Sequence, residues 1–188
     1  VPIIGLTGGI ATGKSTVANL FSKRGHHVIS ADLLVKEIYA TDEALTFVGK
    51  NWPAAVVNRA IDFKRLRALA FGDSQIRTLL EQFIYARLPE RFLAHLPATA
   101  PFVIYDVPLL FEKGLDAAVD LVICVAITSE LQRQRLIARD HISEELADSI
   151  LAAQWDIDEK KRLSTIVIEN DCSLSELETQ LAKKVPFF

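Results

Sequence analysis

The chain has 188 residues, half of them apolar and 24% charged, with a formal net charge of −3. That length can bury one sizeable core and predicts a single domain over 1–188 rather than two catalytic modules. The mild acidity gives no basic field for nucleic acid, so any anion site must be local, and two cysteines without a C-x-x-C spacing and four scattered histidines argue against a disulfide framework or a structural zinc site. No charged segment followed by a long apolar core stands at the start, and the apolar stretch Leu121 to Ile127 is far too short for a bilayer, so a soluble, cytoplasmic protein with no membrane partner is expected.

In chain order, Val1 to Leu6 is an apolar run suited to a buried parallel strand, set at Ile3 to Leu6. Gly8-Gly9-Ile10-Ala11-Thr12-Gly13-Lys14-Ser15-Thr16 follows it and fits G-x-x-x-x-G-K-[ST]. Val17, Leu20 and Phe21 then recur at helical spacing and predict a helix from Lys14 to Arg24; a strand at His27 to Ser30 and a helix at Leu33 to Tyr39 continue the βαβ opening. The region 44–96 reads mostly as helix, with Leu66, Leu69 and Ala70 on one apolar face and Leu79, Leu80, Phe83 and Ile84 on another. Strands return at Phe102 to Tyr105, Leu121 to Ala126 and Ile166 to Ile168, dense in apolar residues on both faces as in a covered parallel sheet. A helix begins near Ser129, and Ser173 with Glu176 reads as a capping box for a last helix carrying Leu174, Leu177 and Leu181 on one face. This alternation predicts a doubly wound α/β parallel sheet with its ligands at the carboxyl ends of the strands.

The glycine-rich stretch is placed to act as a phosphate loop. Backbone N–H groups of Gly9, Ile10, Ala11, Thr12, Gly13, Lys14, Ser15 and Thr16 and the helix N-terminus surround phosphate oxygens, the Lys14 ammonium reaches the outer phosphates, and the Ser15 hydroxyl ligates Mg²⁺. Asp32 follows the second strand and so emerges at the same sheet edge, where a carboxylate can take the proton of an attacking hydroxyl; capping the helix that runs to Tyr39 is a compatible role. Asp106 ends an apolar strand, an arrangement that can hold Mg²⁺ through water or merely start a turn. Glu112, a few residues on in a loop at that edge, could contact an acceptor, but the expected reading is a solvated surface charge. Gln132, Arg135 and Arg139 lie at i, i+3 and i+7, hence on one helix face; with a phosphate loop in the chain, two guanidiniums there suit a lid over a triphosphate, the other reading being a solvated face paired with Asp140 or Glu130. The charged run Asp156 to Arg162 either belongs to that lid or, as charged runs usually do, faces water.

Taken together, Leu6 to Ala18, Ser30-Ala31-Asp32, Asp106-Val107-Pro108-Leu109-Leu110-Phe111-Glu112 and the set Gln132, Arg135, Arg139 resemble the dephospho-CoA kinases. Ala152-Ala153-Gln154 and Val167-Ile168-Glu169-Asn170 fall at that family's spacing, so the resemblance runs through nearly the whole chain. It implies a P-loop nucleoside-triphosphate hydrolase fold with a helical acceptor-binding region near 44–96 and lid helices near 129–162. It also implies transfer of the ATP γ-phosphate, with Mg²⁺, to the ribose 3′-hydroxyl of dephospho-CoA. On matching positions Asp32 is the base, Lys14 and Ser15 contact phosphate and Mg²⁺, Arg135 and Arg139 are lid cations, and Asn170 lies near the adenine.

Departures gather in the middle. The family's aspartate-glycine turn and following arginine are replaced by Val57-Asn58-Arg59-Ala60-Ile61-Asp62-Phe63, its His-Pro pair by Tyr85-Ala86, and the aspartate before the late strand by Thr165. These positions belong to the acceptor side, so a kinase for another small hydroxyl compound, or a nucleotide- or CoA-binding module without turnover, stays open on the residues alone. The chain has no N-K-x-D segment of the kind that reads guanine.

Overall fold

Strands that are apolar on both faces need cover on both sides, and the chain supplies it with helices. The computed structural model describes residues 1–188. The chain runs β1 (Ile3–Gly8), α1 (Lys14–Lys23), β2 (His27–Ser30), α2 (Ala31–Tyr39) and α3 (Asp42–Asn51). A short hairpin follows, β3 (Val56–Val57) and β4 (Ala60–Ile61), then α4 (Phe63–Gly72), α5 (Ser74–Tyr85) and α6 (Leu88–Ala94). The remainder is β5 (Val103–Asp106), β6 (Leu121–Ala126), α7 (Ser129–Asp140), α8 (Glu144–Ala152), α9 (Ile157–Leu163), β7 (Ile166–Glu169) and α10 (Leu174–Lys184). No helix is long and apolar enough to cross a membrane. Two compact units emerge, one of Val1–Ser30 with Pro97–Phe188 and one of Ala31–Leu96.

The first unit is a five-stranded parallel sheet in the order β2-β5-β1-β6-β7. Chain direction decides where its ligand edge lies. From β1 the chain crosses to β2 on one side, whereas from β5 it crosses to β6 on the other, so β1 and β5 flank the switch point where α/β sheets bind ligands. Register there puts Leu6 and Ser30 on either side of Asp106. Val17, Leu20 and Phe21 of α1 pack with Ile4, Leu6, Ile104, Ile123, Val125 and Ile168 of the sheet and with Leu177 and Leu181 of α10. Burying each large side chain contributes about 1.5–3 kcal/mol before entropy is counted. The expected capping box is complete: Ser173 and Glu176 each bind the other's backbone N–H. Leu174, however, begins α10 more than half exposed, so the buried face there is Leu177 and Leu181 alone.

The second unit holds α2 to α6 around Val48, Ala55, Leu66 and Leu80, with Tyr39, Phe47 and Trp52 packed against them. Its helices start where side-chain oxygens meet free N–H groups: Thr41 caps α3, Asp62 caps α4 and Asp73 caps α5. Helix was expected almost throughout this region, but β3 and β4 interrupt it. Asn58 and Arg59 join them with φ of 50° and 60°, the two left-handed positions a two-residue hairpin turn requires. Asparagine tolerates that conformation; at Arg59 it costs about 1 kcal/mol, where glycine would cost nothing. Helix α2 also starts two residues earlier than expected, so Asp32 sits within its first turn.

Candidate active site

The loop between β1 and α1 is the centre of the site. Gly13 precedes α1 with φ 87°, and no side chain caps that helix or places an acidic group in its first turn. The N–H groups of Lys14 and Ser15 are therefore left as donors for an anion, those of Thr16 and Val17 going to the Gly13 carbonyl. A β-carbon at Gly13 would be strained by that φ and would also run into the Asn170 amide, while one at Gly9 would run into the Gln132 amide. Gly13 thus requires glycine, whereas at Gly9 a side chain would push aside the Gln132 amide that holds the loop.

Those side chains brace the loop from three directions. Gln132 of α7 donates from Nε2 to the Ile10 carbonyl at 2.7 Å, and Gln154, beyond α8, accepts from the Ile10 N–H at 3.0 Å. Asn170, just past β7, donates from Nδ2 to the Thr12 carbonyl at 2.8 Å, and its own carbonyl accepts from Arg135 Nη2 at 3.0 Å. Within the loop, the buried Thr12 hydroxyl donates to the Gly9 carbonyl at 2.9 Å. Replacing Asn170 by Ala should leave a loop carbonyl short of its donor at about 1–2 kcal/mol. The expected result by calorimetry is a roughly tenfold weaker ATP dissociation constant; an unchanged constant would show that Asn170 does not hold the loop.

At the switch point the Lys14 ammonium forms an ion pair with the Asp106 carboxylate, each side chain only about one-seventh exposed. The structure therefore brings together Lys14, Asp106, Arg135, Asn170 and the loop residues Gly9 to Thr16. Ser15 and Thr16 lie exposed in the first turn of α1. Arg139, by contrast, is on the outer part of α7, where its guanidinium binds Asp140 from Nε at 2.7 Å and from Nη2 at 2.8 Å. Those hydrogen bonds keep the Asp140 carboxyl below its ordinary range and the Arg139 guanidinium more firmly protonated. Arg139 thus pairs with Asp140, one of the two roles open to its helix face. Asp32, in the second unit, is exposed and makes no hydrogen bond, so it does not cap α2. Tyr85 ends α5 against a cavity of about 220 Å³ shared with Val35, Tyr39 and Arg77.

Two expectations are overturned. Glu112 is no solvated charge: its carboxylate oxygens are buried, and Oε1 lies 2.6 Å from the Lys160 ammonium. Lys160, from the run expected to face water, is wholly buried. It shares the inner face of α9 with Ile157, three residues before it, so its charge is carried into the core by helical period. Cys124 is buried in β6, and burial pushes its thiol up to about 11, which leaves it unreactive.

A glycine loop feeding an uncapped helix at the switch point of a parallel sheet, with a lysine poised beside a strand-end carboxylate, defines a P-loop nucleotide-binding α/β protein. The model of the family described as dephospho-CoA kinase matches residues 2–176. A dephospho-CoA kinase of a Synechococcus strain is 41% identical over 188 residues, covering 95% of this chain and 92% of its own. Among solved structures, one from Thermus thermophilus is 33% identical with a TM-score of 0.85, covering 97% of this chain and 95% of that one. The dephospho-CoA kinase from Campylobacter jejuni is 28% identical with a TM-score of 0.72, covering 96% and 94%. The chain belongs to the dephospho-CoA kinase family.

Proposed function

We propose that the protein moves the γ-phosphoryl group of ATP onto the ribose 3′-hydroxyl of dephospho-CoA, giving CoA and ADP, and that it does so in the cytoplasm. The observation that carries this reading is the braced loop with its Lys14–Asp106 pair at the sheet's switch point, in a chain of this family. The loop N–H groups that do not already donate within the chain, as those of Ile10, Thr12 and Thr16 do, hold the phosphates. Lys14 exchanges Asp106 for the outer phosphates and neutralises the charge that grows as the bond from γ-phosphorus to its bridging oxygen breaks. Asp32 takes the proton of the 3′-hydroxyl as the new oxygen–phosphorus bond forms, and ADP leaves. Arg135, tied to the segment at Asn170, steadies the nucleotide side, and Arg139 gives up Asp140 to meet the phosphates when nucleotide is bound.

The chain gathers no group of three or more His, Cys, Asp or Glu side chains that could hold a metal ion unaided. The Ser15 hydroxyl and the Asp106 carboxylate are, however, the hard oxygen donors that suit Mg²⁺ arriving with a triphosphate. Bound there, Mg²⁺ supplies charge neutralisation on the phosphates. On the acceptor side, the second unit offers a pocket of about 360 Å³ whose wall includes Lys36, Tyr39, Arg59 and Phe63. Neither Lys36 nor Arg59 has an ion-pair partner, and Tyr39 and Phe63 meet edge to face at 5.4 Å. Two free cations beside aromatic rings suit the diphosphate and base of dephospho-CoA. Incubation with ATP, Mg²⁺ and dephospho-CoA should yield CoA and ADP in equal amounts; folded protein that yields no CoA refutes the reading.

A further inference from the structure

A wholly buried ammonium is costly, and a well-packed apolar pair in its place is often as stable or more so. Lys160 is 0% exposed, and its Nζ reaches two groups: Glu112 Oε1 at 2.6 Å and the Pro108 carbonyl at 3.1 Å. Neither Glu112 carboxylate oxygen takes a hydrogen bond from another group of the chain. Within the chain the pair is held by charge attraction, and its desolvation cost makes it weak as a stabilising device. What it does well is hold Lys160 over one backbone carbonyl.

That carbonyl has a second donor, the buried Thr7 hydroxyl, at 3.2 Å. Thr7 immediately precedes the phosphate loop, and Pro108 lies two residues past Asp106. The N–H of Val107 adds a bond to the Leu6 carbonyl at 2.9 Å. When Lys14 turns to a nucleotide, Asp106 loses its ion-pair partner, and only the fixed backbone behind it keeps the carboxylate aimed. We propose that Lys160, charge-balanced by Glu112, is a positioning residue that locks the Pro108 carbonyl and thereby holds Asp106 in place to receive the nucleotide's Mg²⁺. This rests on the metal role assigned to Asp106 above, and not on which alcohol accepts the phosphate.

The test uses the full chain and reads how much Mg²⁺ strengthens ATP binding, by calorimetry with and without the metal, alongside thermal melting and kcat. Lys160→Met alone strands a buried carboxylate, so the informative variant is Lys160→Met combined with Glu112→Leu, which removes both charges. It should melt at or above the parent's temperature and bind Mg²⁺-free ATP within about twofold of it, while the strengthening by Mg²⁺ falls about fivefold or more and kcat about tenfold. Thr7→Val leaves the ion pair intact but removes the other donor to Pro108, and it should weaken the Mg²⁺ effect about two- to threefold. Should the double variant unfold, the Thr7→Val result decides. An unchanged Mg²⁺ effect in the folded double variant, or in Thr7→Val, overturns the proposal and leaves Lys160 a core filler. Parent protein whose ATP affinity ignores Mg²⁺ overturns it too, whereas failure to make CoA with the Mg²⁺ effects as expected refutes only the choice of acceptor.

Discussion

Lys14→Met should leave a folded protein whose kcat for phosphate transfer is lower by about 10³-fold, since losing one preorganised electrostatic contact to transition-state charge costs about 3–4 kcal/mol. Methionine keeps most of the length and apolar stem of the lysine and removes only its charge. The same change removes the ion-pair partner of the Asp106 carboxylate. Both partners keep some solvent, so the stability loss should fall well short of the 3–5 kcal/mol typical of a fully buried pair. Affinity for ATP should weaken less than kcat, because the loop N–H groups and the helix terminus still hold the phosphates. Rapid-quench kinetics with equilibrium nucleotide binding separates the two effects; a kcat within tenfold of the parent would remove Lys14 from the chemistry.

Asp32→Asn has the second-largest expected effect and a cleaner signature. Asp32 is exposed and has no hydrogen bond to lose, so melting should shift by no more than about 0.5 kcal/mol of stability. Removing a general base lowers kcat by about 10²- to 10⁴-fold. The KM for ATP should stay within about twofold, because the proposed ATP contacts are loop groups that the substitution does not touch. Steady-state rates with both substrates varied supply the check. A fall below fivefold, or a loss confined to KM, would assign Asp32 to substrate placement, not to proton transfer.

The parts of the fold that were legible in the sequence are those written in local chemistry. The strand Leu121 to Ala126 and the start of α1 at Lys14 stand where apolar density and the glycine loop put them, and Ser173 with Glu176 announces α10 through hydrogen bonds that span one turn. The hairpin in the second unit was not legible. Two-residue strands are too short to show a period, and its turn carries Asn58-Arg59 where a glycine would have signalled it. At the site, the loop and the strand-ending Asp106 could be read directly, whereas the bracing could not. Gln154 is 144 positions from Ile10, and Asn170 is 158 from Thr12. Nothing local distinguishes an amide that will hold a loop from one that will face water.

Lys160 and Glu112 show the same limit more sharply. Lys160 sits in the charged run Asp156 to Arg162, which gives it an ordinary surface reading, and a lone carboxylate such as Glu112 in a loop is read the same way. Only the packing of α9 brings the two charges together out of water. The face that carries Arg139 is a further case. The helical spacing of Arg139 from Gln132 and Arg135 is real, but Gln132 and Arg135 turn to the loop and the Asn170 segment while Arg139 turns to Asp140. Spacing gives a face, and the neighbours of that face decide what each residue on it does.

The acceptor carries the central claim, because the loop, Lys14 and Asp106 would serve a kinase for any small alcohol equally well. The most direct measurement is kcat/KM with ATP and Mg²⁺ across dephospho-CoA and a panel of other hydroxyl compounds, nucleosides and sugars among them, with the product's phosphate located by ³¹P NMR. The account predicts that dephospho-CoA exceeds every other acceptor by about 10³-fold or more and gains a single phosphomonoester at its ribose 3′-oxygen. A different alcohol turned over at comparable or higher kcat/KM, or phosphate found at another position, would contradict it.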